Sequence, residues 1–258
     1  MRQRATTWLS GGVALGVAGY ACYAASAWFR YGHARRPDPA ERDALLDQFM
    51  PDYDVAERHQ VRVCAPADLT LSAAATLDLQ ESLVVRALFD TRGWILGASP
   101  DAASRPNGLL AEVLSLGWRV LAEIPGREIV IGAVTQPWKA NVVFRCPAPD
   151  AFRESGPPDH VKIVWTLRVD PIGSAECLLR TETRVVATDA TARRRFRWYW
   201  AAFSAGIILI RGVMLRAARR SAERRAARTF PLVREKLPAS IDDQPHRMAR
   251  DPRNTRRL

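Results

Sequence analysis

Cysteine is sparse in this chain, and histidine is no more plentiful. The four cysteines in 258 residues, Cys22, Cys64, Cys146 and Cys177, form no C-x-x-C pair. The four histidines, His33, His59, His160 and His246, stand at no metal-ligand spacing, so no zinc site or other metal centre is expected. Scattered single thiols fit reduced cysteines in a cytosolic setting. A glycine-rich phosphate loop is missing. No Ser/His/Asp, Cys/His or paired-carboxylate set has useful spacing. The sequence therefore assigns no catalytic residue and no cofactor, and catalysis is the minority reading. Apolar residues almost disappear beyond Lys236, so a basic, disordered tail is expected over 231–258.

Acidic residues are short at one end only. The net charge of +11 separates into +1 over residues 1–53, −3 over 54–190 and +13 over 191–258. A nucleic-acid binder more often spreads its basic patch over the folded domain. This pattern describes a near-neutral domain with a cationic appendage, and nucleic acid is disfavoured as a partner.

One long uncharged run is present. Residues 8–29, WLSGGVALGVAGYACYAASAWF, carry no charge over 22 positions, enough to cross a hydrocarbon core of about 30 Å. Trp8, Trp28, Phe29 and Tyr31 place aromatics at both ends. Gly12, Gly16 and Gly19 would admit a close partner helix. The reading adopted is a transmembrane anchor over 1–30 in a single-pass protein. A cleaved signal at Ala25-Ser26-Ala27 and a buried domain helix are the alternatives. Arg30, Arg35, Arg36 and Arg42 outnumber Arg2 and Arg4, which puts the following domain on the cytoplasmic side.

A polar connector follows over 31–53, with a short helix near 39–48. The domain proper is expected over 54–230. Val61 and Val63 alternate with Arg62 and Cys64 as a strand, a Pro-Ala-Asp turn at 66–68 opens a helix to about Leu77, and a second helix covers 81–88. From Gly117 the period changes to two. Trp118, Val120 and Ala122 form one strand, Pro125-Gly126 turns the chain, 128–138 is the next strand, and 142–144 is a weak further one. The clearest hairpin is 161–188. Val161, Ile163, Trp165, Leu167 and Val169 share one face, and Cys177, Leu179, Thr181, Thr183 and Val185 return on it. This pattern predicts an antiparallel sheet with one covered side. Asp189 and Thr191 are candidate N-caps for a helix over 191–228. Its seam is Phe196, Trp200, Phe203, Ile207, Ile210 and Met214, and its end is arginine-rich. An α+β helix-grip fold results, with a curved antiparallel sheet wrapped on a long C-terminal helix and preceded by the N-terminal transmembrane helix. The segment 198–215 resembles a second span, but Arg211 within it argues against one.

Three stretches also resemble bacterial members of the START/Bet v 1-like superfamily, also called SRPBCC or polyketide-cyclase-like proteins. They are EIPGREIVIGAVTQPW (123–138), LLRTETRVVATDATARRRFRWYW (178–200) and GIILIRGVMLRAARRSAERR (206–225). The resemblance covers about 54–228 and leaves out the N-terminal span and the tail. It implies a central cavity for a hydrophobic ligand, as in lipid-transfer and quinone-binding members. Other members are cyclases or hydroxylase components.

The candidate cavity lining is Trp118, Trp165, Leu179, Thr181, Thr183, Phe203, Ile207 and Ile210. Such a lining, mainly apolar with a few hydroxyls, suits a lipid, isoprenoid or polyketide-like molecule. Core packing is the competing reading for each of these residues. Arg216, Arg219, Arg220 and Arg224 are candidates for anionic lipid at a membrane surface, against a merely solvated helix end. Glu123, Arg127 and Glu128 read as a solvated hairpin end. Arg180, Glu182 and Arg184 read as an exposed cross-strand charge ladder. The favoured function is a membrane-anchored binding or carrier domain for a hydrophobic small molecule. A polyketide cyclase or aromatase is the first alternative. A protein that docks a partner or nucleic acid through the arginine helix is the second.

Overall fold

The computed structural model describes residues 2–78, 82–98, 106–154 and 156–229. The expected tail at 231–258 lies outside them. The chain opens with helix α1, Arg2–Arg30, followed by a 3-10 turn at Pro39–Glu41 and the single-turn helix α2, Ala44–Asp47. Strand β1, Val55–Val63, leads to α3, Ala67–Ala75, then α4, Leu83–Leu96, and α5, Leu109–Ser115. The strands β2, Arg119–Ile124, and β3, Glu128–Thr135, form a hairpin. Helix α6, Pro149–Arg153, precedes β4, Val161–Gly173, and β5, Glu176–Ala187. Helix α7, Ala190–Thr229, closes the order.

The five strands make one antiparallel sheet in the order β1-β5-β4-β3-β2. At about 1.5 Å per residue α7 runs roughly 60 Å, across the inner face from one end of the sheet to the other. The Asp189 carboxylate accepts from the Ala192 backbone N–H at 2.8 Å and caps its first turn. Among the described residues α7 is long and apolar enough to cross a membrane by composition. Its docking along the sheet makes it part of the domain. This is a helix-grip domain.

The inner face carries two apolar clusters under α7. One joins Val55, Val161, Val185, Ala192, Phe196 and Trp200, and the other joins Val63, Leu167, Leu179, Met214, Leu215 and Ala218. α3 and α5 close the second cluster from the side.

The outer face is covered as well, against the expectation of a one-sided sheet. Leu46, Phe49 and Met50 from the segment around α2 pack with Val130, Val134, Phe152 and Val164. Every residue of β3 is buried, as its unbroken apolar run requires of a strand covered on both sides. Two further expectations fall with this cover. Arg180, Glu182 and Arg184 are no exposed ladder, because Arg184 is 0 % and Glu182 5 % exposed. Glu128 is no solvated hairpin residue either. It accepts from the Thr166 hydroxyl at 3.1 Å inside the outer-face core.

The weak strand at 142–144 is loop, joined to β3 by the isolated Val134–Arg145 bridge and by the Thr135 hydroxyl, which donates to the Val143 carbonyl at 2.8 Å. β1 begins six residues earlier than the alternation of Val61 and Val63 predicts, and α4 runs eight residues beyond Leu88. α4 is capped by the Ser82 hydroxyl, which accepts from Val85 N–H, and by Gly97 at φ +68°. Glu123 and Arg127 do sit at an exposed hairpin end.

α1 runs antiparallel to α7 and packs on its outer side. Trp28 meets Trp198 at 4.4 Å between ring centres, Tyr31 meets Phe196 at 6.0 Å, and the Tyr23 hydroxyl lies 3.0 Å from Ser204 Oγ. The Arg197 guanidinium caps the Trp28 ring at 4.2 Å. No neighbouring atom would meet a Cβ placed at Gly16 or Gly19.

Candidate ligand groove

α7 is firmly buried at both ends of the sheet and loosely covered between them. Its residues 192, 196, 200 and 201 are buried, as are 214, 215, 218 and 222. Of those between, only Ser204 is fully buried, turned toward Tyr23 of α1. Phe203, Ile207 and Ile210 are half-buried. Opposite them the inward-facing positions Glu57, His59 and Val61 of β1, Ile163 of β4 and Thr183 of β5 are half-buried too. Residues that face each other across a sheet–helix interface yet stay open to solvent mark a groove, because close packing would have removed that surface.

The floor of this groove is polar at one level. The Arg211 guanidinium lies 4.4 Å over the Trp165 ring centre and donates to Thr183 Oγ1 at 2.9 Å. The Trp165 indole N–H donates to Thr181 Oγ1 at 2.5 Å. His59, paired with Thr181 across β1 and β5, has its Nε2 buried without a hydrogen-bond partner and 3.7 Å from the Glu57 carboxylate. Burial draws the Arg211 pKa down to about 10. Burial, with the Arg211 charge nearby, also pulls the His59 pKa below its ordinary value, so the ring is neutral at pH 7. Burial raises the Glu57 pKa, while Arg30 and Arg58 act in the opposite direction.

The sequence-selected lining divides accordingly. Trp165, Thr181 and Thr183 come together with Arg211 at the polar level. Leu179 is fully buried in the apolar cluster beneath. Ile207 packs at the other end, against the cluster that holds Phe196 and Trp200. Phe203 stacks beside Tyr199 at 5.0 Å, on the side of α7 where Arg92 of α4 reaches the Tyr199 hydroxyl and the Pro137 carbonyl. Trp118 sits just before β2, packed on Phe144 at 5.4 Å and away from the polar level. Ile210 is half-buried beside Arg211. Arg216, Arg219, Arg220 and Arg224 are exposed on the C-terminal part of α7, with Arg219 paired to Glu223 at 2.9 Å.

Arg211, His59 and Glu57 are absent from the sequence-selected set. Arg211 is the single charge within 198–215 and falls four residues after Ile207 in the sheet-facing row. That position is the signal that identifies it. A concavity of about 850 Å³ lies on the outer face at the ends of β3 and β4, bordered by Gln136, Arg145, Phe152 and Lys162. The Lys162 ammonium there donates to the Glu154 carbonyl at 2.6 Å and caps the Phe152 ring.

The topology defines a helix-grip architecture, an antiparallel sheet wrapped on a long C-terminal helix. No family model matches the chain, and no curated protein matches it. Among solved structures it is similar to a point mutant of norcoclaurine synthase from Thalictrum flavum bound to a transition-state analogue. The two are 9 % identical, with 66 % of this chain and 95 % of that one covered and a TM-score of 0.33. It is also similar to the ZhuI aromatase/cyclase of Streptomyces sp. R1128, at 16 % identity, 66 % and 94 % coverage and a TM-score of 0.24. The lipid transfer and protein localization domain of human StarD13 is 12 % identical over 64 % of this chain and 76 % of that one, with a TM-score of 0.21.

Proposed function

We propose that this protein binds or carries a hydrophobic small molecule in the groove between the inner face of the sheet and the middle of α7, and does so at a membrane. The observation that carries the ligand reading is the loose middle of α7. Apolar side chains of Phe203, Ile207 and Ile163 border a groove whose two ends are packed shut. Burying such side chains against a ligand gains about 25 cal/mol per Å² of apolar surface. Trp165, Thr181 and Thr183 then orient the ligand, and Leu179 and Trp118 back the wall.

Membrane attachment through residues 8–29 rests on α1, where Leu15, Val17 and Phe29 are exposed at 77 %, 64 % and 72 %. α4 and α7 carry exposed apolar side chains too, Trp94 and Ile95 on the first and Trp198 on the second. Exposed apolar surface of this kind supports a membrane or partner contact. The domain over 54–230 would then stand on the cytoplasmic side, with Arg216, Arg219, Arg220 and Arg224 facing anionic headgroups at about 1 kcal/mol each.

The test is extraction of the detergent-purified full chain with organic solvent, alongside native mass spectrometry. The expected result is an apolar molecule in stoichiometric amount. Repeated recovery of empty protein that takes up no added lipid would sink the carrier reading. A second reading, cyclase-like chemistry on a polyketide-like chain, draws on the buried, unpartnered His59 Nε2 as a candidate general base. It requires that a His59→Ala variant bind the same molecule and fail to convert it.

A further inference from the structure

We infer that Arg211 is the head-group anchor of the groove, and that the ligand it selects is a long-chain amphiphile bearing a single carboxylate. This rests on the groove being a binding site, and it names the chemistry of what binds there.

The geometry begins with charge. Arg211 stands in the sheet-facing row of α7 between Ile207 and Met214, where the helix elsewhere presents apolar groups. No carboxylate lies within ion-pair distance of it among the described residues. Its one hydrogen-bond partner is the neutral Thr183 hydroxyl, and its other neighbour is the face of Trp165. A guanidinium carries five N–H donors in a planar fork. Thr183 takes one of them, and the indole covers a face of the plane without using the rest. Arg211 is half-buried, and the donors that Thr183 leaves unspent stay open to the groove, where an anion can complete them. The outer face of the same sheet shows the contrast, since Arg184 there meets both Glu182 and Asp47 at 2.6 Å.

The count of charges selects a monoanion. Arg211 supplies one unit. His59 is held neutral at pH 7 and has Nε2 free, so it offers one hydrogen bond and no second charge. Glu57, across from Thr183 in the β1–β5 register, adds negative potential on the same side and disfavours a dianion further. A carboxylate matches the planar fork in a bidentate pair. The half-buried apolar wall of Ile163, Phe203 and Ile207 beside it accommodates a hydrocarbon chain.

The experiment offers the delipidated full chain an equimolar mixture of palmitate, methyl palmitate and hexadecyl phosphate, then extracts and quantifies what remains bound. Wild type is expected to retain palmitate over the ester by about 10–100-fold, the range of a lost hydrogen bond to a charged group. Arg211→Met should bring that ratio close to one while keeping the ester. Its fold is expected to survive, because the change removes a half-buried cation with no carboxylate partner among the described residues and keeps the stem that packs on Trp165. Arg211→Lys, which keeps the charge and gives up the planar fork, should lower the acid preference without abolishing it, and so serves as the check if Arg211→Met fails to fold. Glu57→Gln should raise palmitate retention. Binding of acid and ester to wild type in equal amounts overturns the Arg211 assignment and leaves the hydrophobic groove standing. Preference for the phosphate overturns the monoanion. Retention of none of the three overturns the groove itself.

Discussion

Arg184 and Glu182 meet through a 2.6 Å ion pair on the outer face of β5, with the arginine side chain completely out of contact with solvent. The same guanidinium reaches Asp47 and the Met50 carbonyl, and Tyr53 stacks against it at 4.8 Å. Glu182 also accepts from Arg58 at 2.8 Å. Removing Arg184 leaves Glu182 in the core with Arg58 as its remaining partner and unhooks the segment around α2. Arg184→Met is expected to cost about 3–5 kcal/mol, the scale for breaking a buried pair from one side. Replacing both partners, in the double variant Arg184→Met/Glu182→Leu, should recover a good part of that loss. Urea unfolding of the two variants beside wild type reads this directly. A double variant no more stable than Arg184→Met would exclude this compensation.

Glu128 gives the fold a pH dependence of known sign. Burial on the outer face, with Asp43 adjacent, pushes its pKa up to about 8 from an ordinary 4.5. Between those values the native state holds a proton that the unfolded chain releases. The native state then binds more protons, and stability falls as pH rises through that window. The stabilising contribution is complete below pH 4.5 and gone above pH 8. One proton gives a slope of at most about 1.4 kcal/mol per pH unit. Glu128→Gln keeps a neutral side chain in place, so its unfolding midpoint should vary less than wild type between pH 5 and pH 8, with the variant gaining relative stability at the alkaline end. A wild-type midpoint that rises steadily across the window would exclude the assignment.

Much of the inner face was legible because it obeys simple periods. The 161–188 hairpin, its inward row and the seam of α7 follow steps of two and of three to four, and these survive into the structure. What escaped was the part that breaks the period for a reason. The first half of β1 shows no strand pattern because Glu57 and His59 occupy inward positions where such a pattern calls for apolar residues. Those same residues, with Arg211, form the polar level of the groove. The outer face failed differently. Arg180, Glu182 and Arg184 look like a solvated stripe in any local window. They are buried only because a segment some 130 residues away folds over them, and nothing near residue 182 encodes that cover.

That cover makes the last prediction. The 31–53 stretch reads as a linker, yet Leu46 is fully buried against the outer-face cluster with Phe49 and Met50. The Asp43 carboxylate accepts from the Leu46 N–H at 2.8 Å, fixing the turn that aims this side chain at the sheet. If the segment were a spacer, trimming Leu46 would change nothing measurable. As an integral layer of the core, Leu46→Ala should leave a cavity and cost about 2–5 kcal/mol. Loosening that layer also withdraws the Asp47 carboxylate and the Met50 carbonyl from Arg184. The Leu46→Ala and Arg184→Met losses should therefore add to less than their sum, as neighbours sharing one support do. Chemical denaturation of both single variants and the double variant closes the cycle. Strict additivity would mean that the α2 segment and the buried arginine stabilise the sheet independently.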